Sequence, residues 1–446
     1  MESLKGHTPD AWTSDPVSTK RQRIAKLAQR TPKISFSSLA HHIDIDWLHE
    51  AHRQTRKDGA CGIDHQTAAE YEVNLEANLQ SLLDRAKSGR YRAPAVRRVL
   101  IPKGRDGQRP IGIPTFEDKI LQRAVVMVLE EVYEQDFLEC SYGFRPGRSA
   151  HQALQALWKQ AMDMGGGWIL EVDVEKFFDT LDHGHLRAFI KRRVHDGVLV
   201  RLIGKWLKAG TLHEGCWIRS EKGTPQGGVI SPMLANIYLH NVLDEWFEQE
   251  VRPRLQGDTY LVRFADDFVI GFSHRQDAER VLEVLPKRLA RFGLALNEQK
   301  TRLIPFRQPP RSTKGKGPGT FEFLGFTHYW ARSRKGNWVI KRKTASSRFH
   351  RELTTIHEWC CQNRHLKVRD QHRLLVKKVR GHYSYYGITS NGAMLTSFWE
   401  GVKRIWKHAL ARRSRKAYRD WSWFVRLLER YPLPKPTVVH SVYNRQ

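Results

Sequence analysis

Apolar and polar residues along the chain fall into segments of two periods. Val96–Pro102 and Arg109–Pro114 mix apolar with basic residues around Lys103-Gly-Arg-Asp-Gly-Gln108, which predicts a β-hairpin with a Gly-rich turn. Over Glu117–Gln135, Ile120, Leu121, Ala124, Val125, Val128, Leu129 and Val132 recur at helical spacing and predict a helix with one apolar face. Ser149 is placed to cap a second helix that reaches Ala161. Gly165-Gly-Gly167 breaks the chain ahead of an apolar strand, Trp168–Val174. Ser231-Pro232 opens a helix to about Val251, with Pro in its first turn. Tyr260–Phe264 and Phe268–Phe272 read as two short strands joined by Ala265, Asp266 and Asp267, a hairpin with two acids at its tip. A helix over Ala278–Phe292, a Gly/Pro/Lys loop over Arg307–Thr320 and a strand over Phe321–Tyr329 follow. Beyond Trp330 the pattern is basic and helical, with breaks at Gly381–Gly392 and Pro432-Leu-Pro434. Residues 1–45 are polar and basic, and the first of them are expected to be poorly ordered. The fold class expected is α+β, followed by a basic α-helical domain.

Composition narrows the function. The 446 residues exceed one ordinary core, and 40% hydrophobic content supports a packed interior. Neither a run of eighteen apolar residues nor an N-terminal apolar signal region is present, so neither a membrane span nor secretion is expected. The five cysteines, Cys61, Cys140, Cys216, Cys360 and Cys361, form no CxxC pair and read as reduced thiols. Lys and Arg number 75 against 47 acidic residues, a net charge of +28. Ala331–Gln446 holds 27 of the former and 6 of the latter, so +21 of the excess lies in the last quarter. An anionic membrane surface would also suit such a charge. Interleaved aromatics such as Trp338, Tyr383, Tyr385, Tyr386, Trp406, Trp421 and Trp423 favour nucleic acid, where phosphate contacts sit beside base stacking.

Asp173 ends one strand, and Asp266-Asp267 caps a hairpin. These acids converge only if their strands are sheet neighbours. Adjacent aspartates at a tight turn repel each other unless a divalent cation sits there. A lone Asp-Asp pair is as a rule a solvated turn, but apolar strands on both sides shift the balance toward a site. Lys103 and Arg109 are either a solvated basic hairpin or a clamp for phosphates. Gln226-Gly-Gly228 is either a plain helix start or a place of close backbone approach. Phe178, five residues after Asp173, would be core in most proteins, and Lys300 a surface lysine.

The order of motifs carries a resemblance. Arg98-Val-Leu-Ile-Pro-Lys103 with Arg109-Pro-Ile-Gly-Ile-Pro-Thr115, Ser141-Tyr-Gly-Phe-Arg-Pro-Gly-Arg-Ser149, Asp173-Val-Glu-Lys-Phe-Phe-Asp179 and Gly223-Thr-Pro-Gln-Gly-Gly-Val-Ile-Ser-Pro232 come first. Phe264-Ala-Asp-Asp267, Phe323-Leu-Gly-Phe326 and Pro432-Leu-Pro-Lys-Pro436 with His440-Ser441 complete the set. From about Cys61 onward the chain resembles the group II intron reverse transcriptase/maturase family. It departs from that family at Phe264, where Tyr is usual, and at Asn297-Glu-Gln299, where a His-Pro-Glu-like segment is common.

The resemblance implies a right-hand polymerase: an N-terminal extension over 1–78, basic and partly helical, fingers and a palm with an antiparallel sheet over 79–330, and an α-helical thumb/maturase domain over 331–446. It implies RNA-directed DNA synthesis with Asp173, Asp266 and Asp267 as catalytic carboxylates, and two Mg²⁺ ions held by them and Val174. Lys103, Arg109, Phe178, Gln226 and Lys300 would contact the nucleotide: the first two its phosphates, Phe178 its sugar, Gln226 the templating pair and Lys300 the departing pyrophosphate. The partners implied are group II intron RNA, an RNA template with a DNA primer, deoxynucleoside triphosphates and target DNA, with no membrane, in a bacterial cytoplasm at the nucleoid. No endonuclease segment follows, so a primer made elsewhere is expected. A stand-alone enzyme of the same type without an intron, in defence or domesticated, is the alternative. A splicing cofactor with an idle polymerase is a third reading, disfavoured by the complete carboxylate set.

Overall fold

The computed structural model describes residues 16–103, 107–213, 216–218, 221–313, 317, 319–413 and 420–441. Its described residues form two compact units. One takes the residues up to Pro146 with Val174–Glu250 and Pro286–Ala295. The other takes Gly147–Asp173, Val251–Leu285 and the residues from Leu296 on. This division follows backbone contacts and differs from the sequence-based segments, because each unit is assembled from separated stretches of chain.

The first unit opens with α1 (Pro16–Arg30), α2 (Ile45–Gln54), α3 (Ala68–Glu72) and α4 (Leu75–Ser88). Strands β1 (Val96–Lys103) and β2 (Gly107–Ile113) then pair antiparallel, from Arg97 opposite Ile113 to Lys103 opposite Gly107. The next helix, α5 (Phe116–Tyr133), starts at Thr115, whose side chain accepts the Asp118 N–H. Its expected apolar face is buried, and so are Val126 and Met127 on other faces. Such all-round burial marks a central core helix; α1 and α2 pack on it, and the Trp47 indole donates to the Ala124 carbonyl at 2.9 Å.

In chain order come α6 (Ala150–Asp163) and β3 (Trp168–Asp173) of the second unit. Back in the first unit follow α7 (Phe177–Thr180), α8 (His183–Arg193), α9 (Gly197–Lys208), β4 (Thr211–His213), β5 (Cys216–Ile218) and α10 (Ser231–Leu239). Strand β4 joins β1 in parallel, giving a four-stranded sheet of order β2-β1-β4-β5. The helix expected to run to Val251 is α-helical only to Leu239; wider π turns follow at His240–Asp244 and Phe247–Val251.

The motif around Ser141 serves the core of this unit. The Arg145 side chain is 3% exposed and pairs with Glu134, and it also donates to the carbonyls of Leu138 and Ser141 at 2.8 and 2.9 Å. Removing it strands a half-sealed carboxylate and several carbonyls. Arg145→Ala is expected to cost about 3 kcal/mol, read as a lower denaturant midpoint with an unchanged slope. A loss under about 1 kcal/mol would mean that water replaces the guanidinium at no penalty.

The second unit is built on two sheets. With β6 (Thr259–Phe264), β7 (Asp267–Phe272), α11 (Arg275–Ala290, which crosses the division) and β8 (Arg302–Pro305), the first has the order β6-β7-β3-β8, antiparallel at every step. Strands β9 (Phe321–Phe323), β10 (Phe326–Arg332) and β11 (Trp338–Thr344) make the second, an antiparallel meander. Helix α6, capped by Ser149 as expected, packs on β6 and β11, with the Trp158 indole donating to the Ile340 carbonyl. Then come α12 (Ser346–Gln362), α13 (Val368–Tyr386), α14 (Gly392–Ala411) and α15 (Trp421–Arg430).

Three expectations need correction. The strand expected over Phe321–Tyr329 is two strands divided by a turn at Leu324-Gly325, with φ of 50° and 78°. The basic region does not turn helical at Trp330: β11 pairs with β10 from Arg332 opposite Trp338, and helix begins at Ser346. Gly381 does not break a helix, since α13 runs through it to Tyr386. Among the described residues no helix is long and apolar enough to cross a membrane.

Candidate active site

The sheet of the second unit places Asp173 directly opposite Asp267 on the neighbouring strand. Phe264 closes the hairpin on the other side of Asp267, which leaves Ala265 and Asp266 as a two-residue turn. Ala265 has φ 58°, a left-handed backbone that costs an L-residue about 1–2 kcal/mol. Like charges opposite each other across strands are themselves destabilising. Glu171 lies two residues before Asp173, hence on the same face; Arg302 neutralises it at 2.7 Å.

The electrostatics record this crowding. Packing of protein atoms first, and then the charges of Asp266, Glu171 and Asp173, push the Asp267 carboxyl up to about 7, against a backbone hydrogen bond from Leu324. Asp267 still keeps solvent-accessible surface, so it is a carboxylate at the edge of an open cavity and not a sealed one. Charge crowding is the cause that survives this exposure. Asp173 is held at 3.2 Å by the ammonium of Lys300, and its carbonyl accepts the Asn297 N–H at 2.8 Å. The Asn297–Lys300 turn is therefore closed onto the end of β3. Among the described residues no three His, Cys, Asp or Glu side chains stand in a ready metal-binding group. The donor chemistry nevertheless suits a hard divalent cation, since carboxylate oxygens are the ligands such an ion takes and Asp173 and Asp267 face each other across the strands. Val174, just past β3, is buried.

A cavity of ≈560 Å³ in the same unit has Asp267 and the Leu324-Gly325 turn at one side and Arg348, Arg351 and Lys378 in its walls. The Tyr385 hydroxyl donates to the Leu324 carbonyl at 2.8 Å and steadies that turn. Sequence reasoning missed these three cations as individuals, whereas Tyr385 stood among the interleaved aromatics. The signal was present as the basic excess after Ala331, and Arg348, Arg351 and Thr355 share one face of α12 at helical spacing.

In the first unit a second cavity, ≈220 Å³, gathers Phe178, Gln226, Arg98, Lys222 and Gly223. The loop over 223–227 is threaded tightly. The Thr224 N–H donates to the Phe178 carbonyl at 2.8 Å, and the Gly112 N–H of β2 donates to the Gln226 carbonyl at 2.7 Å. Gly223 and Gly227 have φ 78° and 118°, and a Cβ would stand 2.6 Å from the Phe178 carbonyl oxygen or 2.7 Å from that of Gly112. Only glycine fits at either place. Phe177 is 1% exposed and packs edge-on to Tyr238, whereas Phe178 keeps open surface. Arg109 is exposed on β2 opposite Ile101 and is not in the lining; Arg98, on β1, is. Lys103 ends β1, and its side chain lies outside what the structure describes.

Against this geometry the comparisons are specific. The family model for reverse transcriptase (RNA-dependent DNA polymerase) matches residues 101–328, which include all three aspartates, Phe178, Gln226 and Lys300. Protein YkfC of Escherichia coli (strain K12) is 33% identical over 364 residues, 73% of this chain and 91% of YkfC. Group II intron-encoded protein LtrA of Lactococcus lactis subsp. cremoris is 36% identical over 233 residues, 51% of this chain and 38% of LtrA. The putative COX1/OXI3 intron 1 protein of Saccharomyces cerevisiae is 28% identical over 281 residues, 52% of this chain and 33% of that protein. The matched regions thus span well under half of these two intron proteins. The chain belongs to the reverse transcriptases, the RNA-dependent DNA polymerases, and within them to the group II intron-encoded reverse transcriptase/maturase family.

Proposed function

We infer that this protein copies a group II intron RNA into DNA and also helps that RNA to splice. The observation that carries the polymerase half is the Asp173–Asp267 register with Asp266 in the adjoining turn. In this reading the β6-β7-β3-β8 sheet is the palm, the β1–β2 hairpin belongs to the fingers, and α12–α14 form the thumb.

Asp173, Asp266 and Asp267, with Val174 beside them, would hold two Mg²⁺ ions, which when bound activate the primer 3′-hydroxyl and offset charge on the leaving pyrophosphate. The new bond joins the 3′-oxygen to the α-phosphorus as the bond to pyrophosphate breaks. Lys300, whose ammonium lies 3.2 Å from Asp173, would face the departing pyrophosphate. Arg348, Arg351 and Lys378 hold strand phosphates beside the carboxylates. Phe178 and Gln226 line the sugar and template side of the nucleotide, Arg98 adds charge there, and Lys103 and Arg109 meet phosphates from the hairpin.

Splicing help asks only for binding of folded RNA, whose own centre cuts and joins. The carboxylates are anions and add little to such a surface. The doubly substituted Asp266→Asn/Asp267→Asn protein is therefore expected to promote exon ligation on an RNA carrying the flanking intron, while making no complementary DNA. Charge reversal of Arg412 and Arg413, at the end of α14, is expected to impair ligation; Arg415 and Lys416, the other candidates there, lie outside the described residues. A folded double variant that cannot promote ligation would mean that both functions share the carboxylate site. A wild-type protein without effect on any flanking RNA would leave a stand-alone polymerase.

A further inference from the structure

Helices α8 and α9 of the first unit, with residues 91–93, enclose a groove of ≈700 Å³. Its lining carries Arg92, Arg187, Lys191, Arg201, Lys205 and Lys208, and not one acidic residue. Helical periodicity explains the arrangement. Arg187 and Lys191 are one turn apart on α8, about 6 Å along the axis. Arg201, Lys205 and Lys208 follow each other at spacings of four and three on α9 and span about 10 Å. The opposite face of α9, Leu199, Leu202, Ile203, Trp206 and Leu207, is buried and fixes the basic face outward.

The acid between the two helices does not neutralise these cations. Asp196 is buried, and its carboxylate accepts the N–H groups of Leu39, Ala40, Val198 and Leu199. Lys205 is partly spent as well, donating to the carbonyls of Gly89 and Tyr91. Arg92, Arg187, Lys191, Arg201 and Lys208 are exposed, and among the described residues their side chains make no ion pair or hydrogen bond.

The floor is shaped as well as charged. Gly204 sits in the interior of α9, where glycine is a poor helix former. A Cβ there would approach the Arg187 guanidinium at 3.8 Å, so the missing side chain keeps the groove deep. Two rings lie in the lining: Tyr91 is 1% exposed with its hydroxyl bonded to Asp118, and His195 is exposed. With five exposed cations against one exposed ring, the groove suits a phosphate backbone better than a run of unstacked bases.

We propose that this groove is a binding site for the phosphate backbone of folded RNA, separate in its residues from both cavities of the candidate active site. The choice of RNA rests on the reading of the preceding subsection, in which folded RNA must be held in addition to being copied.

The test compares the full-length wild type with two variants. One is Arg187→Gln/Lys191→Gln/Arg201→Gln/Lys208→Gln, which leaves the carbonyl-bonding Lys205 in place. The other is Gly204→Glu, which puts a carboxylate on the groove floor and a better helix former into α9, so loss of folding is not its expected effect. The probes are an RNA hairpin and a DNA hairpin of the same sequence, titrated between about 50 and 200 mM salt. The fourfold variant is expected to lower the slope of log affinity against log salt on the RNA hairpin by up to about 3.6, since each of four phosphate contacts contributes about 0.9. Gly204→Glu is expected to weaken RNA binding in the same direction with an unchanged or raised melting temperature. Primer extension on a short template–primer duplex stays at the wild-type rate in both. An unchanged RNA slope in both variants overturns the proposal, and so does a loss confined to the DNA hairpin. A wild type that binds RNA through the groove yet neither extends a primer nor promotes splicing would instead sink the proposed function and leave the groove standing.

Discussion

Asp266→Asn and Asp173→Asn each reduce primer extension in Mg²⁺ by at least about a thousandfold, equivalent to roughly 4 kcal/mol in the barrier. The substitution keeps the size of the side chain and removes its charge, so what is lost is the ability to hold and balance a cation. The structure adds an opposite expectation for stability. Asp173 and Asp267 face each other across strands, with Asp266 in the adjoining turn, and the Asp267 carboxyl is pushed up to about 7. In a chelator, removing the Asp266 charge relieves this repulsion and raises the melting temperature. Asp173→Asn gains less, because it also gives up the Lys300 ion pair at 3.2 Å. Added Mg²⁺ should raise the melting temperature of the wild type and do so much less for either variant. A variant with near-normal extension, or an equal Mg²⁺ stabilisation in wild type and variants, would remove these carboxylates from the assignment. Loss of activity with an increase in stability is hard to obtain from a merely structural residue.

The carboxylate hairpin was legible because its two strands are short and apolar around Ala265-Asp266-Asp267, although Asp267 proves to start β7 and only Asp266 lies in the turn. The antiparallel pairing of β3 with β7, and its register, were not. Almost a hundred residues separate these strands, and after Asp267 β7 reads as a continuous apolar run without a face preference. Strand β11 was missed for a different reason. It alternates inward Trp338, Ile340, Arg342 and Thr344 with outward Val339, Lys341 and Lys343. Arg342 is only 2% exposed and donates to the Leu154 carbonyl, so a cation stands where the alternation calls for an apolar residue. The strand then reads as part of a basic helical run. Gly381 misled in the same way: its position within α13 is open, with nothing a Cβ would meet, and no left-handed backbone requires it. In the first unit, Phe178 and Gln226 were singled out by motif, and both line one cavity. Arg98 was hidden inside a motif whose terminal lysine drew the attention.

Phe178→Val admits ribonucleotides about 10- to 100-fold more readily, while deoxynucleotide use stays close to wild type. The two adjacent phenylalanines give this expectation its control. Phe177 is 1% exposed, with its ring edge-on to Phe178 at 5.3 Å and to Tyr238 at 6.3 Å between centroids. It belongs to the core, and Phe177→Val should cost about 2–4 kcal/mol of stability without moving sugar discrimination. Phe178 is held from its backbone side, since its carbonyl accepts the Thr224 N–H. Its ring lines the cavity that also contains Gln226, Arg98 and Gly223. Shortening that ring enlarges the cavity without touching the hydrogen bonds that shape the 223–227 loop, so the change falls on what the cavity excludes. A ribose differs from a deoxyribose by one hydroxyl, and a ring against the sugar is the simplest means of rejecting it. The measurement is single-turnover incorporation of matched ribo- and deoxynucleotides by wild type and both variants, with melting temperatures taken alongside. Discrimination that collapses in Phe177→Val and holds in Phe178→Val would put the sugar against the other face of this turn. Discrimination unchanged in both would move it away from the cavity altogether.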